Sequence, residues 1–418
     1  MRILVYSPNF SPELIGIGKY VGEMSEWLSL NGHEVHVITT PPFYPKWKTH
    51  EQYNNYLWKR EKWKGVNVWR CPVYVPKNQS GVNRILHLVS FALSSLPIMI
   101  SQIFWRPKII LSIAPSLFLA PVSILTSKLS GAKSILHIQD LEVDAAFELG
   151  LLKGEKLREF AISIEKFLLG HFDLITTISN RMLRKISNKL NHTRRVILFP
   201  NWIKMSLWSD DREMLKINLE SEQYRTRLKI PKEALTIVYS GNMGDKQGLE
   251  ILSSSAKYFM SNPIPNIPLH FIFCGSGSGL KKLLNDSQGI ANIHFLDLQP
   301  TEKLPAFLAV ADIHVLPQRA DAADLVMPSK LIGIFASGRP VIVCANQDTE
   351  LSEIVRRRGL VVKPENTNDF CEAIKILAND KELRSKLGSA GKKYAEQEFD
   401  QDLVLAKFEF DMKQLVKI

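Results

Sequence analysis

Three short glycine-rich segments are the part of this sequence best suited to binding a phosphate. Each follows an apolar run and precedes a helical pattern: Gly16-Ile17-Gly18-Lys19, residues 241–248 and residues 275–279. Glycines permit positive φ and let an anion approach the backbone N–H groups at a helix N-terminus. A tight turn is the alternative for each segment; it explains the first as simply, whereas phosphate contact is favoured for residues 275–279.

The spacing of these glycines argues against an oxidoreductase that binds a dinucleotide. The loop 7–18 is long and lacks the complete G-x-G-x-x-G spacing, and residues 275–279 read G-x-G-x-G. In the segment 241–248, Lys246 is the cation available to a phosphate. A phosphate-binding role is therefore expected for these loops without a nicotinamide cofactor.

Polar residues also follow the apolar run SILHI. His137 and Gln139 share one face if this run is a strand, and Asp140 comes directly after it. The carboxyl ends of parallel strands are where ligand-binding groups collect. The run predicts a site at Gln139 and Asp140, and the alternative is a hydrogen-bonded core histidine followed by a solvated acidic turn.

The segment from Asp324 to Lys330 leads into an apolar helical pattern. Ser329 is predicted to cap that helix and Lys330 to reach an anion at its N-terminus, with capping alone as the alternative. The signatures H-E-x-x-H and G-x-S-x-G are missing from the sequence. We therefore expect no metal and no cofactor.

Two series of strand and helix patterns must position these residues. The strands of the first series are predicted at 3–6, 35–38, 109–115, 134–140, 173–179 and 195–201, and those of the second at 235–244, 269–279, 293–298, 312–317 and 339–344. This alternation predicts an α/β protein with two Rossmann-like, doubly wound domains that face a cleft. The polar stretch 203–233 places the boundary near residue 200, which gives domains 1–200 and 201–400, and a last helix, 401–418, is expected to pack back towards the N-terminal domain.

Charge is distributed unevenly along the 418 residues. The net charge is +11, and residues 1–200 hold 25 basic and 14 acidic side chains, so the whole excess lies in the first half. An anionic partner follows, either nucleic acid or anionic lipid. The four cysteines are far apart and no signal peptide is evident, so a reducing, cytoplasmic setting is expected.

Residues 85–105 contain no charged side chain and are long enough to span a bilayer. Pro97 and several polar residues interrupt the segment, and it lies between predicted strands. A buried crossover helix, a transmembrane helix and a helix on the membrane surface are the alternatives. The upstream stretch 59–70 interleaves cations with tryptophans, so we favour the membrane surface.

Taken in order, seven motifs resemble the bacterial family 4 glycosyltransferases with the GT-B fold, in the branch of exopolysaccharide and O-antigen biosynthesis. They are SPELIGIGKY, HEVHVITTPPFYP, LHIQDLEVDAA, FPNW, YSGNMGDKQGLE, DLVMPSKL and ASGRPV. The resemblance implies transfer of a sugar from a UDP-sugar or GDP-sugar to an acceptor on polyprenyl diphosphate. It implies a peripheral protein on the anionic inner membrane rather than a partner of nucleic acid.

Within the branch, N-acetyl-L-fucosamine on UDP is the expected donor sugar, with a GDP-fucose-dependent enzyme or a GT-B sugar-nucleotide epimerase as alternatives. The resemblance implies catalytic roles for Asp140, Gln139 and Glu13. It implies acceptor contacts from Gly16, Gly18, Lys19 and Tyr20, and donor contacts from Gly241, Asn242, Lys246, Gln247, Gly275, Gly277, Asp324, Pro328, Ser329 and Lys330.

Three departures from the family pattern concern these contacts. Gln139-Asp140 stands where the family often has His-Asp, and Asn242 with the shifted Lys246 replaces the usual Arg and Lys. Leu325 and Gly333 fall where the paired glutamates of the E-x7-E motif would be. Ribose recognition must therefore be made differently in this chain.

Overall fold

The computed structural model describes residues 1–14, 16–78, 81–113, 118–141, 143, 154–244, 247–320 and 329–417. The chain divides into two compact units, one formed by Met1–Asn201 with Val404–Ile418 and the other by Trp202–Leu403. Each unit is built on a sheet whose strands are mainly parallel. The predicted fold class, two doubly wound α/β domains, is confirmed.

The first unit alternates strands and helices along most of its length. Its elements are β1 (Arg2–Tyr6), α1 (Ile17–Leu30), β2 (Glu34–Thr39), β3 (Lys59–Trp63), β4 (Val66–Arg70), α2 (Gly81–Trp105), β5 (Ile109–Ile113), α3 (Ala120–Ser130), β6 (Lys133–Ile138), α4 (Glu155–Leu169), β7 (Leu174–Thr177), α5 (Asn180–Lys189) and β8 (Val196–Leu198). In the described residues the sheet order is β3-β4-β2-β1-β5-β6-β7-β8, and the β3–β4 pair alone is antiparallel.

The second unit begins with two helices and continues as a parallel sheet. Its elements are α6 (Ser206–Ser209), α7 (Asp211–Arg227), β9 (Leu235–Asn242), α8 (Glu250–Ser261), β10 (Leu269–Ser276), α9 (Leu280–Asp286), β11 (Ile293–Leu296), a 3₁₀ turn (Thr301–Lys303), α10 (Leu304–Ala309), β12 (Ile313–Leu316), α11 (Lys330–Ala336), β13 (Val341–Cys344), α12 (Glu350–Val355), β14 (Gly359–Val362), α13 (Thr367–Asn379) and α14 (Lys381–Glu398). The sheet order among the described residues is β11-β10-β9-β12-β13-β14. The chain ends in α15 (Gln401–Lys417).

The central strands are apolar throughout because helices cover both faces of each sheet. Ile3, Leu4 and Val5 of β1 are fully buried, as are Phe271 and Phe273 of β10. In such a sheet the loops at the carboxyl ends of the strands lie at one edge. The glycine segments and the polar residues after β6 therefore collect at these edges.

Some elements differ from the sequence expectation. The stretch 59–70, for which no strand was predicted, forms the β3–β4 hairpin at the sheet edge, and its last residue, Arg70, is buried. The polar stretch 203–233 contains two helices, since Trp208 is buried and the Asp210 side chain caps α7. Strand β14 was not predicted, because GLVV is too short to stand out.

Candidate active site

A buried carboxylate, Glu13, ties the loop after β1 to the loop after β2. Its Oε1 accepts the backbone N–H groups of Phe43 and Tyr44, each at 3.1 Å, and its Oε2 accepts the side-chain amide of Asn9 at 2.9 Å. Burial raises the pKa of Glu13 to about 7, although these hydrogen bonds act in the opposite direction. A carboxyl group that titrates near neutrality can position a substrate or move a proton.

The predicted acceptor loop needs its two glycines for different reasons. Gly16 has a φ of 67° directly before α1, a conformation that side-chain-bearing residues rarely adopt. A Cβ on Gly18 would lie 2.3 Å from Oε2 of Glu13. Glycine at position 18 is therefore what lets α1 start so close to the carboxylate.

Lys19 and Tyr20, also predicted to contact the acceptor, interact with each other along α1. The Lys19 ammonium lies 3.2 Å from a Glu23 carboxylate oxygen and 4.7 Å from the centre of the Tyr20 ring. Burial lowers the pKa of Lys19, but Tyr20 and Glu23 outweigh it and the net effect is a raised pKa. Lys19 is thus a fixed positive charge on the first turns of α1.

Gln139 is held by His137, which is buried two residues before it. Nδ1 of His137 lies 2.8 Å from Oγ1 of Thr176, and the Gln139 amide nitrogen lies 3.3 Å from Nε2 of His137. Burial lowers the pKa of His137 to about 3, so the imidazole is neutral. In the tautomer that donates Nδ1–H to Thr176, Nε2 accepts the amide N–H, which leaves the Gln139 carbonyl oxygen as an acceptor at the end of β6.

Asp140 follows Gln139 and is exposed. The pKa of Tyr44 is raised first by burial and further by the negative charges of Glu13 and Asp140. The two predicted carboxylates and Tyr44 therefore share one electrostatic neighbourhood in the first unit. Tyr44 was missed in the sequence, where an aromatic residue among prolines gives no distinguishing signal.

Arg70 was also missed, although it holds the same loops. Its Nε donates to Glu61 at 2.6 Å, and its two terminal nitrogens donate to the carbonyl oxygens of Thr40 and Ser11 at 3.0 and 2.7 Å. The side chain is fully buried at the end of β4. The available signal is an arginine that closes an alternating apolar strand, VNVWR.

In the second unit, two of the predicted phosphate loops pack against each other. Strands β9 and β10 are neighbours, with Gly275 opposite Gly241. A Cβ on Gly275 would lie 1.9 Å from the carbonyl oxygen of Gly241, and one on Gly277 would lie 2.6 Å from the backbone of Met243. Close contact between the loops therefore requires glycine at 275 and 277, whatever these loops bind.

Lys330 is the cation that the structure places at the end of β9. Its Nζ donates to Oε1 of Gln247 at 3.0 Å and to the Tyr239 hydroxyl at 3.2 Å. A Cβ on Gly241 would lie 3.3 Å from the Lys330 side chain, and the Tyr239 hydroxyl in turn donates to the Asn242 carbonyl. Burial lowers the pKa of Lys330 to about 8. No carboxylate of the described residues pairs with this ammonium, so it is suited to bind an anion.

The remaining residues of the predicted donor segment have other outcomes. Ser329 makes no capping hydrogen bond from its side chain, so the capping prediction is wrong. The physical reason is its helical backbone, with φ −56° and ψ −26°, since a capping residue is normally extended. Lys246, Asp324 and Pro328 lie outside the described residues. Their donor contacts stay predictions.

A cavity of about 260 Å³ lies beside the two glycine loops of the second unit. Gly244 and Gly279 line it together with Glu250, Lys282 and Arg319. The Glu250 carboxylate pairs with both cations. Despite partial burial, a backbone hydrogen bond and these two cations hold the pKa of Glu250 below its usual range. Glu250 and Arg319 were missed; the usable signal is that each follows shortly after a parallel strand.

Potential metal ligands do not cluster among the described residues. These residues contain no group of three or more His, Cys, Asp and Glu side chains that could hold an ion. The D-x-D triplet Asp400-Gln401-Asp402 begins α15, where Oδ1 of Asp400 accepts the N–H groups of Asp402 and Leu403. Asp400 is therefore occupied in capping a helix.

Two protein families match the chain. The Glycosyl transferase 4-like domain matches residues 16–202, and Glycosyl transferases group 1 matches residues 220–394. The chain is 40% identical to a protein of Escherichia coli K12 described provisionally as colanic acid biosynthesis glycosyl transferase WcaI, over 99% of this chain and 100% of that one.

Solved structures also resemble the chain. Sucrose-phosphate synthase of Thermosynechococcus elongatus has a TM-score of 0.74 at 17% identity, over 99% of this chain and 98% of that chain. The Anabaena protein HepE, in complex with UDP, has a TM-score of 0.67 at 13% identity, over 99% of this chain and 100% of that one. At these identities the likeness concerns the fold alone.

Proposed function

The chain belongs to the family 4 glycosyltransferases with the GT-B fold, and on this premise we propose that it transfers a sugar to a saccharide carried on polyprenyl diphosphate. The proposed donor is UDP-N-acetyl-L-fucosamine. The proposed process is exopolysaccharide or O-antigen biosynthesis, and the relative named for colanic acid biosynthesis supports the first of these. We place the enzyme in the cytoplasm, on the inner membrane.

The observation that carries this proposal is Lys330. Its ammonium has two neutral hydrogen-bond partners and no carboxylate among the described residues, at the end of β9 beside Gly241. An ammonium in partial burial without a counter-ion gains most from a doubly charged ligand such as a diphosphate. The UDP found in HepE belongs to the same class of ligand.

The proposed transfer needs a group that stabilises the leaving group and a group that handles the acceptor hydroxyl. The bond between the anomeric carbon and the diphosphate oxygen breaks, and Lys330 stabilises the negative charge that develops on the leaving group. An acceptor hydroxyl forms the new bond and gives up its proton. Asp140 and Glu13 are the carboxylates proposed to position that hydroxyl or to receive the proton, and Glu13 titrates in the range that such a role needs.

Two further side chains are proposed to contact the donor: Glu250, which was missed in the sequence, and Gln139, which was predicted there. The cavity beside the glycine loops contains Glu250, whose carboxylate can accept the ribose hydroxyls in place of the missing E-x7-E glutamate. The carbonyl oxygen of Gln139 can accept a hydrogen bond from a hydroxyl or an N-acetyl N–H of a sugar. A neutral histidine at this position would offer one acceptor nitrogen instead.

Thermal unfolding with UDP, GDP, ADP and NAD, each with and without EDTA, tests this proposal. A ligand at a hundred times its Kd stabilises the native state by about 2.7 kcal/mol. We expect UDP to raise the Tm with or without EDTA. A shift with GDP alone would move the donor to GDP-fucose, and a shift with NAD alone would contradict the proposed function.

A further inference from the structure

Helix α2 exposes more large apolar side chains than a surface helix of a soluble domain normally does. Six of them are exposed, whereas three of the six buried residues of the helix, His87, Ser95 and Gln102, are polar. The exposed six are Val82, Ile85, Leu86, Leu93, Ile100 and Phe104. A surface helix normally turns its apolar side chains to the core.

The buried polar side chains bind α2 firmly to the first unit. Ser95 hydrogen-bonds the Tyr6 hydroxyl at 2.7 Å, and the Gln102 carbonyl oxygen lies 2.7 Å from Nδ1 of His36. Phe91 and Met99 of the same helix are fully buried as well. Removing α2 from the sheet would therefore break buried hydrogen bonds and expose core.

Five of the exposed side chains form a continuous line, which we call the outer stripe. Its residues are Val82, Leu86, Leu93, Ile100 and Phe104, and at 3.6 residues per turn they fall within about 40° of one another. Leu93 is 61% exposed and Phe104 83%. The helix is about 37 Å long at 1.5 Å per residue, so the outer stripe runs along one side of the unit.

Aromatic side chains and cations flank the outer stripe. The Trp58 indole N–H donates to the Ser94 carbonyl at 2.9 Å, and Trp58 itself is 54% exposed. At the C-terminal end of α2, an Arg2 guanidinium nitrogen donates to the Trp105 carbonyl at 2.8 Å, Nε of Arg2 pairs with Glu34 at 3.3 Å, and Arg106 follows directly. Exposed tryptophan and arginine beside an apolar surface suit the headgroup region of a bilayer.

A further cation lies on the same face of the sheet as α2. Arg60 of the edge strand β3 pairs in register with Trp69 and lies 4.9 Å from the centre of its ring. Trp69 packs on the cluster that includes Phe91 and Met99 of α2. Glu34, which pairs with Arg2 and accepts the Trp105 indole N–H, is the acidic side chain at this edge. With Arg2, Arg60 and Arg106 the edge is net positive around an apolar middle, which complements an anionic membrane.

We propose that the outer stripe of α2 lies flat in the headgroup boundary of an anionic bilayer, with Trp58 beside it and Arg2, Arg60 and Arg106 on lipid phosphates. The proposal rests on the proposed function for its occupant, because an acceptor on polyprenyl diphosphate is held in such a bilayer. The sequence left a buried crossover helix and a transmembrane helix open. The buried contacts of α2 with Tyr6 and His36 oppose the second.

Flotation of the full chain with vesicles tests the proposal. We compare vesicles of phosphatidylethanolamine and phosphatidylglycerol with vesicles of phosphatidylcholine alone, at low and high salt. The wild type is expected to bind the anionic vesicles, more weakly at high salt. The double variant Leu93→Glu/Ile100→Glu is expected to bind at least about tenfold more weakly, because two apolar contacts become charges at the acyl boundary.

The matched control is Leu215→Glu/Leu219→Glu on α7. These leucines are 63% and 59% exposed, close to the 61% and 55% of Leu93 and Ile100, so both double variants make similar surface changes. Depth is read from Phe104→Cys carrying an environment-sensitive fluorophore, since the four native cysteines are buried. Its emission is expected to shift to the blue with anionic vesicles.

Equal binding of the wild type and both double variants would overturn the proposal. So would wild-type protein that resists extraction from membranes by alkaline carbonate, because that indicates a spanning helix. The proposal would also be overturned if the wild type formed a dimer without affinity for vesicles and Leu93→Glu/Ile100→Glu made it monomeric, because the outer stripe would then bind a second copy of the chain. The UDP-induced Tm shift is measured on the same variants. If the wild type binds vesicles but shows no Tm shift with UDP, the proposed function is contradicted while the membrane-binding role of the outer stripe stands.

Discussion

Replacing Lys330 by methionine should weaken UDP binding and stabilise the empty protein at the same time. Methionine keeps most of the side-chain volume and removes the charge. A hydrogen bond to a charged group contributes about 1.5–3 kcal/mol, so the Kd for UDP should rise by about 10-fold to 150-fold. Without UDP, the buried ammonium opposes folding, because its pKa is lowered from 10.5 to about 8.

The sign of the stability effect follows from that pKa. A lysine with a lowered pKa in the native state binds its proton less tightly there than in the unfolded chain, so stability falls as the pH drops from 10.5 to 8. At pH 7 the loss is fully present and amounts to at most about 3 kcal/mol. Lys330→Met should recover part of it, while Lys257→Met, at an exposed lysine of α8, should change neither quantity.

Isothermal titration calorimetry with UDP between pH 7 and pH 9 measures the binding side. In the wild type the Kd should rise by about tenfold over this range as Lys330 loses its proton, since one pH unit beyond the pKa reduces the charged fraction tenfold. In Lys330→Met the Kd should be constant from pH 7 to pH 9. A Kd for UDP within twofold of the wild type at pH 7 would refute the role given to Lys330.

Three further predictions concern the loops. From pH 5 to pH 8 the free energy of unfolding of Glu13→Gln should rise by about 3 kcal/mol relative to that of the wild type, because the wild-type carboxyl group, with a pKa raised to about 7, loses its stabilising proton over that window. Urea unfolding at both pH values measures this difference, and a difference that does not change with pH contradicts the prediction. Gly275→Ala should lower the free energy of unfolding by at least about 2 kcal/mol, since the added Cβ would meet the Gly241 carbonyl. The control Gly289→Ala, whose Cβ would lie in open space, should lower it by about 1 kcal/mol in the same urea assay. Gln139→Glu should lower kcat/KM about tenfold and raise the pKa of His137, because a carboxylate replaces the amide N–H that Nε2 of His137 accepts. An NMR titration of the His137 imidazole measures the pKa, and an unchanged titration would exclude that contact.

The strands of both sheets could be predicted because they are unbroken apolar runs. The run ILVY became β1 and LHFIFCGS became β10, each fully buried in its middle. The hairpin β3–β4 could not be predicted in the same way. Its first strand, KREKW, is polar because it lies at the edge of the sheet and faces solvent.

Some site residues could be recognised from a local sequence motif, whereas the roles of others depend on residues far away in the sequence. Gly18 could be named from its glycine motif, but the reason for it, the Glu13 carboxylate at 2.3 Å from an added Cβ, depends on the fold of the loop. Tyr44 carries no local signal and Arg70 carries only its place at the end of an alternating strand, because their roles come mainly from contacts with segments 30 or more residues away. The exposed apolar side of α2 likewise needed the structure, since composition alone does not tell which side of the helix is buried.

The most direct test of the proposed transfer is mass spectrometry of a lipid-linked acceptor after incubation with a panel of UDP- and GDP-sugars. We expect the acceptor to gain one sugar from UDP-N-acetyl-L-fucosamine, with release of one equivalent of UDP. An acceptor of unchanged mass across the whole panel, together with an isomerised donor, would contradict it and indicate an epimerase instead.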